Sequence, residues 1–191
     1  GLDGRADPLQ DTMERQMHHL VRLIDDLLDV ARVTRGKLVL RLRDTALADV
    51  LATAIEIATP AIETGHHHFT SSLPKDVLPL HADPERLAQV FANVLNNAAK
   101  YSDPGGEIHL DVRREGDTAV VRISDQGIGL SADQLDTVFE LFRQVDTGVE
   151  RTRGGLGIGL TLVRQLTDMH GGRVSVTSPG PGKGTTFEVR L

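Results

Sequence analysis

Asp83-Pro84-Glu85-Arg86-Leu87-Ala88-Gln89-Val90-Phe91-Ala92-Asn93-Val94-Leu95-Asn96-Asn97-Ala98-Ala99-Lys100-Tyr101 is the stretch whose reading decides the fold. Its residue types predict a helix. Asp83 suits the N-cap, and Pro84 suits the first helical position, where no N–H is required. Leu87, Val90, Phe91, Val94, Leu95 and Ala98 recur every three or four residues and form one apolar face. At about 100° per residue, Asn93, Asn97 and Lys100 fall within about 60° of one another on a separate face. Two amides and an ammonium in file have two readings. One is ordinary solvated surface; the other is an oxygen-ligand site for a hard cation with a point charge for phosphate.

Upstream, residues 8–35 read as one long helix, from Asp7-Pro8 to Gly36 as its stop. Met13, Met17, Leu20, Ile24, Leu27 and Ala31 follow alternating spacings of four and three, a heptad seam that must pack on another helix or body. His18 and His19 lie off that seam and read as solvated. Residues 37–43 alternate Leu38, Leu40 and Leu42 with Lys37, Arg41 and Arg43, which predicts a strand. A second helix is predicted over 46–63, with Leu47, Val50, Leu51, Ala54, Ile55 and Ala58 on one face. His66-His67-His68 reads as a polar strand start, because successive strand residues face opposite sides and cannot converge on one metal ion. A short strand over 77–81 leads into the central helix.

Downstream, residues 107–113 and 118–124 predict a hairpin, and its second strand runs into Asp125-Gln126-Gly127-Ile128-Gly129. Ser131 with Gln134 forms a capping-box pattern for a short helix carrying Leu135, Val138, Phe139 and Phe142. Residues 143–156 lack periodicity and read as a mobile loop. A helix over 157–169, stopped by Gly171-Gly172, precedes strands over 173–177 and 185–191.

The glycines cluster where chemistry would need bare backbone. Gly154, Gly155, Gly157 and Gly159 precede or open a helix, where free N–H groups attract anions and phosphate can approach closely. No Gly-Lys-Ser/Thr follows, so this is not a Walker loop, and its spacing is not a dinucleotide fingerprint. Asp125 at a strand end, beside Gly127 and Gly129, offers a carboxylate acceptor for an exocyclic amine where a flat ring can lie on main chain. Each piece alone is also compatible with a plain turn or lid.

Composition narrows the partners. A net charge of −6 and pI near 5.7 argue against nucleic acid. The absence of cysteine excludes disulfides and thiolate metal sites. No apolar run reaches the length of a membrane span. No membrane contact is expected of this segment, and its expected location is the cytoplasm, even if the parent protein is membrane-anchored.

The ordered combination of Asn93/Asn97/Lys100/Tyr101, Asp125-x-Gly127-x-Gly129, Phe139-x-x-Phe142, Gly155-x-Gly157-x-Gly159-Leu160 and Gly182-x-Gly184-Thr185 closely resembles the catalytic ATP-binding domain of sensor histidine kinases. These match that family's N, G1, F, G2 and G3 boxes. His170-Gly171-Gly172 resembles its characteristic helix end, and residues 23–32 resemble the second helix of its dimerisation and phosphotransfer bundle. The resemblance implies residues 1–36 as that bundle helix and 37–191 as the catalytic domain. The implied fold is a two-layer α/β sandwich, a mixed, mostly antiparallel sheet covered by helices on one face and preceded by one long heptad helix.

The same resemblance implies ATP and Mg²⁺ as cofactors. Asn97 would ligate the metal, with Asn93 supporting metal and phosphates and Lys100 touching phosphate. Tyr101 would flank the base, Asp125 would accept from the adenine amine, and Thr185 would stand nearby. Gly127, Ile128 and Gly129, and then Gly155, Leu156, Gly157, Ile158, Gly159 and Leu160, would line the nucleotide, with Phe139 and Phe142 anchoring the lid. The implied partners are a second copy through the bundle and the receiver domain of a response regulator. The implied reaction moves the γ-phosphoryl group of ATP to a histidine. That acceptor is expected outside this chain, because none of its eight histidines has the family's acceptor context. Hydrolysing relatives place a general-base glutamate where Asn93 stands, and an amide takes no proton at neutral pH. That favours a kinase over a hydrolysing ATPase; a catalytically silent nucleotide-binding or dimerisation module is the third reading.

Overall fold

A computed structural model of the chain describes residues 8–74, 78–143 and 156–191; the side chains of 8–12, 14–16, 18, 19 and 22 lie outside that description. In order, the elements are α1 (Pro8–Thr34), β1 (Arg43–Ala46), α2 (Leu47–Thr64), β2 (His68–Ser72), β3 (Pro79–Ala82), α3 (Pro84–Tyr101), β4 (Glu107–Glu115), β5 (Thr118–Asp125), α4 (Ala132–Thr137), α5 (Gly159–Met169), β6 (Arg173–Thr177) and β7 (Thr185–Arg190). They fall into two compact units, residues 1–38 and 39–191. The loop expected over 143–156 lies outside the described residues except for its two ends.

In the first unit, α1 runs unbroken for 27 residues. Met13, Met17, Leu20, Ile24 and Leu27 of its seam are all exposed, as are Val21 and Leu28.

In the second unit, five strands form a sheet in the order β2-β4-β5-β7-β6. Among the described residues only β2 runs parallel to its neighbour; the other pairings are antiparallel. A parallel neighbour needs a crossover, and the segment containing α3 supplies it. The predicted apolar stripe of α3 is wholly inside, with Leu87, Val90, Phe91, Val94 and Leu95 at 0% exposure. Ala88, Ala92 and Ala99 are buried as well, because α3 packs against both α2 and α5 and needs small residues on its flanks. Strand alternation aims Ile108, Leu110, Val112, Val121, Ile123, Phe187 and Val189 at these helices.

One sequence expectation fails. Residues 37–42 are not a strand, and pairing begins only at Arg43, where β1 meets β3 in a separate two-stranded ribbon. The alternation is real in burial but has no partner strand among the described residues: Leu38 and Leu40 are half-buried between exposed neighbours, and Leu42 stays exposed. The short helix after Ser131 also stops at Thr137, before Phe139 and Phe142.

The other face of the sheet carries charge. Arg122 meets Glu188 at 2.6 Å, Arg190 reaches both Glu188 and Glu115, and Arg113 meets Glu115 at 2.7 Å. The hydrogen bond from Arg122 holds the Glu188 carboxyl below its ordinary value near 4.5, and Arg190 does the same for Glu115. Both folded values are depressed, so these carboxylates support the fold above about pH 4.5 and lose that support as pH falls through the lowered values. Thermal melts should show a steepening loss of stability below that pH, smaller in Glu188→Gln. An identical acid profile in that variant would dismiss the ladder as a source of stability.

Candidate functional site

Asn93, Asn97 and Lys100 occupy successive turns of α3, each half-buried, on the side facing away from the α3 apolar stripe. The Lys100 ammonium donates to the Tyr101 hydroxyl at 3.0 Å and lies 4.6 Å from the centre of that ring. The Asn93 amide nitrogen approaches the Gly159 carbonyl at 3.5 Å, which brings the start of α5 against the middle of α3. Gly159 and Leu160 form the first turn of α5, and Ile158 before them is buried. Gly157 has φ +67, and a Cβ there would lie 2.6 Å from the Arg143 carbonyl oxygen. The main chain at 142–143 therefore abuts the glycine stretch directly.

The floor comes from the sheet. Asp125 ends β5 directly opposite Thr185 of β7, on the helix side. Its carboxylate accepts from the Gly127 N–H at 2.8 Å and from the Thr185 N–H. Burial nevertheless pushes the Asp125 carboxyl above its ordinary value of 3.8, against those two hydrogen bonds. A half-buried carboxylate whose burial outweighs its two N–H donors is a prepared acceptor.

The loop from Gly127 to Gly129 is fixed on both sides. The Ile128 N–H donates to the Tyr101 carbonyl at 3.0 Å, tying the loop to the end of α3. The Gly182 and Gly184 N–H groups donate to the carbonyls of Ile128 and Gly127. A Cβ at Gly127 would overlap the Tyr101 carbonyl, and one at Gly129 the Gly180 carbonyl. Ser178 completes the lacing: its hydroxyl accepts from the Leu130 N–H at 3.0 Å and donates to the Gly184 carbonyl at 2.7 Å. Sequence reading passed over Ser178. A serine opening a Pro/Gly turn was the available signal, since such hydroxyls bond neighbouring backbone.

The structure thus joins two groups through α3: Asn93 in its middle meets Gly159 at the start of α5, and Tyr101 at its end meets the Gly127–Gly129 loop beside Asp125 and Thr185, with Asn97 and Lys100 on the helix between them. Phe142 and Leu156 differ. Phe142 is 63% exposed on a backbone with φ +62, and Leu156 is exposed too. Phe139 instead is buried, edge-on to Phe187, with its carbonyl accepting from the Thr161 hydroxyl at 3.0 Å. Gly155 lies outside the described residues. Among the described residues, no cluster of three or more His, Asp or Glu could hold a metal.

All of these residues lie within one family match. Residues 82–191, more than half of the chain, match the family described as histidine kinase-, DNA gyrase B-, and HSP90-like ATPase. The chain belongs to that family. Its curated relatives place this ATPase-family domain on the histidine kinase side. It is 36% identical over 173 residues to the circadian input-output histidine kinase CikA of Synechococcus elongatus, covering 90% of this chain and 23% of that protein. It is 35% identical to the alginate biosynthesis sensor protein KinB of Pseudomonas aeruginosa, covering 99% of this chain and 31% of KinB. With the adaptive-response sensory kinase SasA of Thermosynechococcus vestitus the identity is 35%, and the shares are 96% and 50%. The chain therefore spans half or less of these relatives. Among solved structures, the mycobacterial sensor histidine kinase MprB superimposes with a TM-score of 0.70 at 27% identity, over 78% of this chain and 97% of that one. ShkA, solved in complex with AMPPNP, gives 0.77 at 24% identity over 99% of this chain and 40% of ShkA, which speaks for the fold. As a histidine kinase-type ATP-binding domain, the chain has the expected two-layer architecture, with helices on one face of a mixed sheet.

Proposed function

We propose that the chain binds Mg-ATP between α3, the start of α5 and the ends of β5 and β7, and that its parent protein uses it to phosphorylate a histidine for relay to a response-regulator aspartate. The observation that carries this is the under-solvated Asp125 carboxylate, with the Gly127–Gly129 main chain beside it and tied to the end of α3, the helix on which Asn93 approaches Gly159. Asp125 would accept from the adenine amine, with Thr185 beside it. Tyr101 would flank the base, while Lys100 and the backbone of Gly157 to Leu160 would meet the phosphates at a helix start, where N–H groups are free.

The donor set suits magnesium only in part. Asn97, supported by Asn93, supplies neutral amide oxygen, which fits a hard cation, and no carboxylate cage is present among the described residues. The ion would thus take most of its ligands from phosphate and water. When bound it would neutralise phosphate charge; Asn93 and Asn97 would hold the phosphates in place. Phosphoryl transfer needs positioning and charge neutralisation more than a base, and Asn93 offers none, which favours transfer over hydrolysis.

Titration calorimetry with ATP and magnesium tests the binding. Incubation with γ-labelled ATP then tests the reaction: no acid-labile label is expected on this chain alone, and label should appear on an added two-helix bundle carrying an acceptor histidine. Stoichiometric label on His18 or His19 would reverse the assignment of the acceptor.

We infer further that residues 1–36 contribute the second helix of the parent's dimerisation bundle. The support is the exposed seam of α1, too apolar to stay in water. Sedimentation equilibrium should show reversible self-association, abolished by Ile24→Glu. A wild-type chain that stays monomeric at high concentration would refute a homodimeric role for this helix.

A further inference from the structure

The two helices that bear the proposed phosphate groups are joined at a second place, far from the nucleotide. His170 caps the end of α5. Its Nδ1 lies 2.7 Å from the Leu166 carbonyl oxygen, and its Nε2 lies 3.1 Å from the Asp83 backbone nitrogen. A carbonyl oxygen only accepts and a backbone N–H only donates. The imidazole is therefore neutral with its proton on Nδ1, and the Nε2 lone pair receives the Asp83 N–H.

Asp83 is itself fully engaged. It is 4% exposed, its carboxylate accepts from the Arg86 N–H at 3.1 Å as the N-cap of α3, and its other oxygen accepts from the Arg41 N–H at 2.9 Å. The residue receiving His170 is thus anchored to α3 and to the chain segment leading into β1, so a pull on it is not absorbed by a loose loop.

The distances along the two helices match. Gly159 to His170 spans about 16 Å and Asp83 to Asn93 about 15 Å at 1.5 Å per residue. The start of α3 meets the end of α5, and the middle of α3 meets the start of α5. Two antiparallel rods are therefore fastened at both ends of a shared length. At the nucleotide end the direct fastening is the long 3.5 Å contact of Asn93 with Gly159, while the other end has the shorter bond.

We propose that His170 is a positioning residue for the phosphate end of the site: its bond to Asp83 fixes the axial register of α5 on α3, and so the spacing of the Gly157–Gly159 backbone from Asn93 and Asn97. This rests on the nucleotide reading given above. Adenosine would touch Asp125, the Gly127–Gly129 loop and Tyr101, which belong to β5, to the turn beside β7 and to the end of α3 but not to α5, so a shift of α5 along α3 leaves that half in place.

Calorimetry on the whole chain with magnesium, comparing ATP with adenosine, tests this. His170→Asn keeps a donor at the δ position for Leu166 and is too short to reach Asp83; His170→Gln presents its amide oxygen near the position of Nε2. His170→Asn should lose roughly three- to tenfold in ATP affinity, the worth of one hydrogen bond, with adenosine affinity unchanged. His170→Gln should recover most of that loss. Equal losses for ATP and adenosine, or no loss, overturn the proposal and leave His170 a structural cap. Should His170→Asn fail to fold, His170→Gln carries the test alone, because an altered ratio of ATP to adenosine affinity with the Asp83 bond retained contradicts it. A wild-type chain that binds neither ligand overturns the nucleotide reading itself.

Discussion

Replacing Gly184 with alanine is expected to cost about 3–5 kcal/mol of folding stability, enough to unfold a domain of ordinary stability. Gly184 has φ +74, and its missing Cβ would overlap the carbonyl oxygen of Asp125, with the Gln126 Cα at 3.1 Å. Those neighbours are main chain at the end of a central strand and cannot rotate away as a side chain could. Gly182 is the control. It has nearly the same φ, +73, yet nothing lies within 4 Å of a Cβ there. Gly182→Ala should therefore carry only the left-handed penalty of about 1 kcal/mol. Urea denaturation of the two variants separates overlap from conformational preference. Equal losses would mean that the approach of the Gly184 turn to β5 is not what requires the glycine.

Asp125→Asn is expected to weaken ATP binding by about 1–3 kcal/mol, roughly 5- to 150-fold, while barely changing the melting temperature without nucleotide. The two effects separate because of the sign of the Asp125 shift. Its folded value is raised, so its contribution to stability is full below its ordinary 3.8 and is lost as pH rises through the raised value. At neutral pH the ionised carboxyl works against the fold. An amide removes that cost but gives up one of the oxygens serving the N–H groups of Gly127 and Thr185, and the two changes offset. The binding loss is not offset, since the amide faces an amine with a donor of its own. Wild-type affinity in calorimetry would remove Asp125 from the adenine position.

Much of this was legible in the sequence because α3 states its environment redundantly. Pro84, the apolar stripe and the polar file of Asn93, Asn97 and Lys100 each specify the same helix, in the same orientation, at the same depth. The hairpin of β4 and β5 and the ends of β6 and β7 were equally plain, since alternating burial leaves a period of two. Residues 37–42 misled for the same reason. Alternation says that a segment is suited to half-burial but not that a partner strand lies beside it. The candidate site was proposed from its order of motifs, whereas the bonds that join its parts were not foreseen. Ser178 and the His170–Asp83 bond join residues far apart in sequence through a hydroxyl and an imidazole, and neither carries a periodic signature. The side-chain placements of Phe142 and Leu156 escaped because a motif fixes a position in the chain and not the direction of a ring.

The order of strands has a consequence in time. β7 lies inside the sheet, between β5 and β6, and Thr185 comes 60 positions after the Asp125 it faces. The hairpin of β4 and β5 can close early, because its strands are neighbours in the chain. The carboxylate then waits, with one side of its strand unpaired, until β7 has been made. Loops of that span close late and slowly. An emerging chain therefore holds Asp125 and the Gly127–Gly129 loop long before it holds the floor proposed for the nucleotide, and a half-made domain offers ATP only part of that proposed site.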